Sequence, residues 1–105
     1  MSTNLTAKAA LAYFDDAPQH LGLGVLDWVR DTHGQWNPAD NSGDSFDLMV
    51  KLGMNVFSVN DASYAMESDG DNGNEVKVVN NGNPKAAMRL AILKVAASVG
   101  EFITR

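Results

Sequence analysis

The sequence predicts an α+β fold: a three-stranded antiparallel meander sheet with helices packed on it, as in an α-β-α sandwich, and a long C-terminal helix. Helix-favouring segments occupy residues 3–15 and 84–102, three short apolar runs lie within residues 54–79, and turn-forming Asn, Asp and Gly residues separate those runs. Tight turns join neighbouring strands antiparallel, and a sheet with an apolar face must bury it against another layer. We therefore expect the helices to cover the sheet.

Composition indicates one soluble globular domain spanning residues 1–105. The chain is 45% hydrophobic and 20% charged, with a net charge of −5 and no cysteine. The acidic balance argues against a broad basic surface for duplex nucleic acid or for an anionic membrane. The lack of cysteine excludes disulfides, zinc–thiolate sites and thiol nucleophiles. Neither a signal-peptide pattern nor an apolar run of about 20 residues is present, so we expect a cytoplasmic protein.

The N-terminal half is predicted to be helical, with one ambiguous segment. Residues 3–15 are rich in alanine and place Leu5, Ala9 and Ala12 on one helical face, and the Asp-Asp-Ala-Pro run at 15–18 ends that helix. Residues 20–30 combine strand-like alternation with a helix-like apolar cluster. A helical turn over residues 25–30 is the favoured interpretation.

A loop is predicted over residues 32–45, which are rich in Gly, Asn, Asp and Pro. Trp36 lies within it, and because a large ring is costly to leave in water, the loop is expected to be packed. Ser42 or Asp44 is expected to cap a short helix that continues through Leu52, with Gly53 as its C-terminal cap.

Three strands are predicted at residues 54–59, 62–67 and 75–79. Asn60-Asp61 forms the first tight turn, and the Asp-Gly and Asn-Gly pairs within residues 69–74 form the second. On the middle strand, the two-residue period places Tyr64 and Met66 on the same side.

The last helix has a well-marked start, because Asn83 is a strong N-cap residue and Pro84 suits the first helical position. Most of its circumference is apolar, apart from a polar stripe of Lys94, Ser98 and Glu101. A surface helix needs only one apolar stripe, so this helix is either buried centrally or shared with another subunit. We favour the second interpretation, which predicts a homo-oligomer.

The same helix start offers a candidate anion site. Lys85 and Arg89 lie four residues apart on one face, where the free N–H groups of Ala86 and Ala87 and the positive end of the helix dipole also gather. A phosphate or carboxylate is expected to bind there. The alternative is a solvated first turn, although cations are disfavoured at a helix N-terminus and an anionic partner would explain them.

Other polar clusters are weaker candidates. Residues 69–74 start like a calcium loop but lack the invariant Gly and the bidentate Glu, so a hairpin turn is favoured. His20 and His33 have no third ligand at a defined spacing, so neither a metal site nor a cofactor is predicted. Trp36 and Tyr64 could stack on a nucleotide base, with packing in the core as the alternative for both.

Three segments carry a resemblance to a known family. They are Trp36-Asn37-Pro38-Ala39-Asp40, the short helix ending near Gly53, and Gly82-Asn83-Pro84-Lys85-Ala86-Ala87-Met88-Arg89. Over about residues 25–100, the chain resembles the small phage-encoded ABA sandwich domains. Some related small phage proteins are oligomeric sponges that sequester the cyclic nucleotide signals of bacterial immune systems such as Thoeris or CBASS. The resemblance implies that Lys85 and Arg89 hold phosphate and that the protein acts in the host cytoplasm.

Two functions follow as hypotheses. The first is a non-enzymatic phage protein that binds a small phosphorylated ligand, with Lys85 and Arg89 on the phosphate, Asn83 presenting the helix N–H groups, and Trp36 or Tyr64 stacked on a base. The second is an interaction module whose apolar last helix and sheet edge engage a host protein. A structural component of the virion is a third possibility.

Overall fold

The computed structural model describes residues 2–67 and 75–103 and confirms the α+β class. Each segment with helical or strand periodicity forms the element that its pattern indicates. The helices are α1 (Ser2–Tyr13), α2 (Val25–His33), α3 (Ser42–Leu52) and α4 (Pro84–Ile103), with a 3-10 helix at Gln19–Gly24, and the strands are β1 (Met54–Val59), β2 (Ala62–Glu67) and β3 (Glu75–Val79).

The sheet is the predicted antiparallel meander, in the order β1-β2-β3. Its register pairs Val56 with Ala65 and Ala65 with Val76, and these three residues face the core that α4 completes. Side chains alternate between the two faces of a strand, so Phe57, Val59, Tyr64 and Val79 lie on the other face, here called the open face. Phe57, Val59 and Val79 are exposed there.

Helix α4 is the central element of the molecule. It packs against all three strands on one side and against α1 on the other, while α3 lies beside it. The sheet therefore packs against α4, and α4 packs against α1. Central burial also explains why α4 is apolar around most of its circumference: its buried residues are Ala87, Ala91, Ile92, Leu93, Val95, Ala96 and Ala97.

Small residues allow α1 and α4 to approach closely. Ala9 and Ala10 of α1 and Ala96 of α4 are fully buried. Near the end of α4, a Cβ atom added to Gly100 would lie only 1.8 Å from the carbonyl oxygen of Lys8. The position therefore requires glycine. An exposed ion pair between Lys8 Nζ and Glu101 Oε2, at 3.3 Å, closes the same end of the helix pair.

Apart from shifts of one or two residues at the ends of α1 and α4, the helix limits differ from the sequence prediction at two places. Helix α2 continues to His33, into the segment predicted as loop. The N-cap of α3 is Asn41, whose Oδ1 accepts a hydrogen bond from the Asp44 N–H at 2.9 Å, so the expectation of Ser42 or Asp44 was wrong. The predicted C-terminal cap of α3 is confirmed, because Gly53 is left-handed with φ 63°.

The turns and the packed loop agree with expectation where they are described. Asn60 has φ 58°, as a tight turn between β1 and β2 requires. The predicted turn and the rejected calcium loop at residues 69–74 lie outside the described residues. Trp36 is half-buried and stacks on Tyr13 with ring centroids 5.6 Å apart, which confirms that its loop is packed. No helix in the described ranges is both long and apolar enough to cross a bilayer.

Candidate functional site

The start of α4 is built by its own side-chain cap. Asn83 Oδ1 accepts a hydrogen bond from the Ala86 N–H at 3.1 Å, which confirms the predicted cap, and the Asn83 carbonyl accepts from the Ala87 N–H at 3.1 Å. Both N–H groups that were expected to face an anion are therefore already bonded, which corrects that expectation. Among the N–H groups of the first turn of α4, that of Lys85 has no described hydrogen-bond partner.

Arg89 links the start of α4 to the start of α3. Its Nε donates to the carbonyl oxygen of Ala39 at 3.0 Å, and its Nη1 donates to Ser42 Oγ at 3.1 Å. Both partners are neutral, and no described carboxylate lies within ion-pair distance of the guanidinium. A guanidinium has five N–H donors, so about three remain available on a side chain already fixed in place.

Lys85 is exposed and stands one helical turn before Arg89. Within residues 2–67 and 75–103, its ammonium has neither a hydrogen bond nor an ion pair. The sequence prediction that both cations share one face of α4 agrees with the surface that they line together. Two positive charges without a carboxylate partner therefore lie together beside the positive end of a helix dipole.

A groove of about 310 Å³ lies beside these cations, between α3 and α4, and is here called the α3–α4 groove. Val56 of β1 contributes to it. The residues from the two helices are Ser42, Ser45, Phe46 and Met49 on α3, and Lys85, Met88, Arg89 and Ile92 on α4. Its polar members come from the first two turns of their helices, which the bond between Arg89 and Ser42 holds together.

Ser45 is the least expected member of the groove. Its side chain is only 2% exposed, yet its Oγ has no hydrogen-bond partner among the described residues. A buried hydroxyl left unpaired costs about 1–3 kcal/mol, so such groups are rare in folded proteins and call for an explanation. Its Oγ has less than 1 Å² of accessible surface, so the hydroxyl is covered by protein atoms and is not open to the groove.

Phe46 also lines the groove and is 59% exposed, as is Val50 one turn later. The sequence pattern places Phe46 and Met49 in the short helix and gives them no role in the site. The sequence pattern that could have identified this surface is that α3 carries apolar residues on more than one face. In the structure, Leu48 is fully buried in the core, whereas Phe46 and Val50 are exposed. One face of α3 builds the core, and another leaves apolar surface beside the cations.

The two aromatic residues predicted for the site lie elsewhere. Trp36 stacks on Tyr13 and lines a different cavity, of about 540 Å³, between α1, α2 and the loop that follows α2. Its Nε1 is buried there without a described partner. Tyr64 stacks on Phe57 at 4.8 Å on the open face, on the opposite side of the sheet from α4. The structure therefore brings together Asn83, Lys85 and Arg89 but neither aromatic ring.

The histidines do not form a catalytic or metal-binding group in the described ranges. His33 stacks on Phe14 at 4.6 Å, and its Nε2 lies 3.7 Å from Asp16 Oδ1, while His20 is exposed in the 3-10 helix. No group of three or more His, Asp or Glu side chains there could hold a metal ion.

Comparisons with protein-family models, with curated proteins and with solved structures found no match to this chain. The resemblance to the phage ABA sandwich domains therefore stays a prediction from the sequence motifs.

Proposed function

We propose that this chain is a non-enzymatic binding protein, of the phage ABA sandwich type, that holds a small phosphorylated ligand at the start of α4. The observation that carries the proposal is the pair Lys85 and Arg89, two cations without a described carboxylate partner at the edge of the α3–α4 groove. Lys85 would contact the phosphate with its ammonium and its free N–H. Arg89 would add the N–H groups that Ala39 and Ser42 leave free.

Preorganisation supports this assignment. Arg89 is held by two hydrogen bonds, of 3.0 and 3.1 Å, to neutral acceptors. Those bonds fix the side chain without neutralising it, so a ligand would not have to order it on binding. The cap by Asn83 fixes the backbone that presents the Lys85 N–H in the same way.

Binding rather than catalysis is favoured by the hydroxyl chemistry of the described residues. The bonded serines form a structural chain, in which Ser58 Oγ lies 2.8 Å from Ser63 Oγ and Ser63 Oγ donates to Asn80 Oδ1 at 2.7 Å. An amide oxygen is not a general base. An activated nucleophile would instead need a base such as histidine or a carboxylate within hydrogen-bond reach.

The finer parts of the proposal come from the resemblance alone. A sponge for cyclic nucleotide signals would be an oligomer, and the prediction of a homo-oligomer was based on the apolar circumference of α4. Because α4 is buried within a single chain, an oligomer would have to use another surface. The open face, which exposes Phe57, Val59 and Val79, is one candidate surface.

Native mass spectrometry of the protein purified from a bacterial lysate tests the proposal, with heat release of any bound compound. We expect the chain to carry a phosphorylated small molecule, whose occupancy falls in Lys85→Ala. Lys94→Ala is the matched control, because Lys94 is an exposed lysine without a described ion pair on the polar stripe of the same helix. An empty protein, or equal loss in both variants, would contradict the proposal.

A second function is favoured by a separate observation. The open face exposes Phe57, Val59 and Val79, and β1 and β3 are both edge strands of the described sheet. Exposed apolar surface next to unpaired strand edges is typical of protein interfaces. An interaction module would capture one stoichiometric host protein from lysate, and Val59→Lys on the open face would abolish that capture.

A further inference from the structure

The α3–α4 groove has two chemically different parts. Lys85, Arg89, Ser42 and Ser45 border the groove at the starts of their helices but add little polar surface to its lining. Its remaining walls are apolar and come from Phe46, Met49, Val56, Met88 and Ile92. None of these five side chains has a group that can donate a hydrogen bond.

Such walls select against a nucleoside. Ribose hydroxyls and base edges would lose water in the groove, and the apolar walls provide no hydrogen bonds to replace it. An alkyl or aryl group has the opposite preference, because each methylene removed from water is expected to raise affinity about fourfold. The aromatic ring of Phe46, which is 59% exposed, would also lose contact with water when such a group binds.

Volume limits the size of the ligand. The groove encloses about 310 Å³. At about 30 Å³ for each non-hydrogen atom, the share of a water molecule in the liquid, this space holds roughly ten atoms. A phosphate accounts for five of these atoms and leaves room for a chain or ring of roughly five carbons, with a longer chain reaching the exposed surface of Phe46.

We infer that the α3–α4 groove binds an amphipathic organic phosphate, a monoester of a short alkyl or aryl group. Lys85 and Arg89 bind the phosphate at the edge of the groove, and the apolar walls hold the organic group. The inference rests on the proposed function and makes it more specific, because it replaces the nucleotide implied by the family resemblance with an apolar phosphomonoester.

Titration calorimetry with a defined set of probes tests this inference. The probes are butyl, hexyl and octyl phosphate, used below their micelle concentrations, together with inorganic phosphate, AMP, a cyclic dinucleotide, octanoate and octanol. We expect affinity to rise about fourfold per added methylene through the hexyl compound. We also expect AMP, the cyclic dinucleotide and inorganic phosphate to bind with a Kd at least about tenfold higher than that of hexyl phosphate.

Three variants locate the binding. Lys85→Ala should weaken hexyl phosphate by about tenfold or more, whereas Lys94→Ala should leave it unchanged. In Phe46→Ser, the affinity for alkyl phosphates should depend less on chain length, and adding Lys85→Ala should still weaken binding. This variant is expected to fold, because Phe46 is mostly exposed and adds little to the core.

The outcomes separate the inference from the proposed function. Tighter binding of AMP or the cyclic dinucleotide, lost in Lys85→Ala, would overturn the inference and leave the proposed function standing. Equal binding of octanol and octyl phosphate, unaffected by Lys85→Ala, would overturn both, as would a complete lack of binding by every phosphate probe. Binding of octanoate as tight as that of octyl phosphate would show that the site recognises a carboxylate and would overturn the phosphate assignment.

Discussion

Two buried serines show how one hydroxyl group can stabilise or destabilise the same fold. Ser63 is 0% exposed and lies in a hydrogen-bonded chain with Ser58 and Asn80, whereas Ser45 is 2% exposed and has no described partner. Each residue is therefore buried to the same degree, and only the bonding differs. The difference predicts opposite effects of the same substitution.

We expect Ser63→Ala to lower the free energy of unfolding by about 1–3 kcal/mol, because it leaves the Asn80 side chain without its partner. Ser45→Ala should leave the ligand-free protein as stable or more stable, since it removes an unsatisfied buried hydroxyl. Urea denaturation of the two variants measures this contrast. Equal destabilisation by both would mean that the Ser45 hydroxyl is satisfied in solution.

Asn83 is the residue whose role follows most directly from the sequence. Asn83→Ala should lower the free energy of unfolding by about 0.5–2 kcal/mol, because the Ala86 N–H would lose its acceptor. Asn83→Asp is the control and should retain most of the stability, since a carboxylate accepts the same hydrogen bond and suits the helix dipole. Unchanged stability in Asn83→Ala would contradict a capping role.

Arg89 shows which properties of a residue can be predicted from the sequence and which cannot. Its spacing from Lys85 and its helical face could be predicted from the chain, because both are local properties. Its partners, the Ala39 carbonyl and the Ser42 hydroxyl, lie far away in sequence on a loop and on another helix. No local pattern specifies that contact, so the α3–α4 groove itself could not be predicted.

At the scale of elements, prediction succeeded where the signal is local. The limits of β1, β2 and β3 match those predicted, because apolar alternation and turn residues lie within each segment. The predicted cap of α3 was wrong because three neighbouring side chains can each accept the capping hydrogen bond. Asp44 Oδ2 instead accepts from the Asn37 N–H at 2.8 Å, and Ser42 Oγ accepts from Arg89, which leaves Asn41 as the cap.

The contact between α1 and α4 gives a prediction about helix packing. Gly100→Ala should lower the free energy of unfolding, because the added Cβ would lie 1.8 Å from the Lys8 carbonyl oxygen and force the helices apart. Overpacking costs about 1–3 kcal/mol, which exceeds the gain of about 1 kcal/mol from replacing glycine by alanine in a helix. Thermal unfolding followed by circular dichroism measures the net effect.

Ser98→Ala is the control for this packing prediction. Ser98 is exposed on the same helix, two residues away, and alanine favours helix there without meeting another element. We expect its midpoint of thermal unfolding to stay the same or rise slightly. A rise in Gly100→Ala as well would show that the two helices separate freely at this end.

At the scale of the whole molecule, tertiary packing decided between two interpretations that the sequence left open. An apolar circumference on α4 is compatible with central burial and with an interface between subunits, and from the sequence alone we favoured the interface. The structure places α4 between the sheet and α1, because the chain before and after it supplies an apolar layer for each side. The choice depends on how distant segments stack, which no window of the sequence contains.

This arrangement predicts the association state. The strands have six, six and five residues. At about 3.3 Å per residue and about 4.8 Å between strands, the open face measures roughly 20 by 14 Å, or about 280 Å². Stable interfaces bury about 800 Å² per partner, so this face alone is too small for a tight dimer.

We therefore expect that the open face alone does not hold a dimer at low micromolar concentration, which sedimentation velocity measures. Association that appears only at much higher concentration and disappears in Val59→Lys would assign it to the open face, where Val59 is 49% exposed. Lys94→Ala, at an exposed position of α4 that is not on the sheet, is the control and should not change it. A dimer at low micromolar concentration that Val59→Lys dissociates would contradict the prediction, whereas a closed particle that Val59→Lys leaves intact would require an interface beyond the open face.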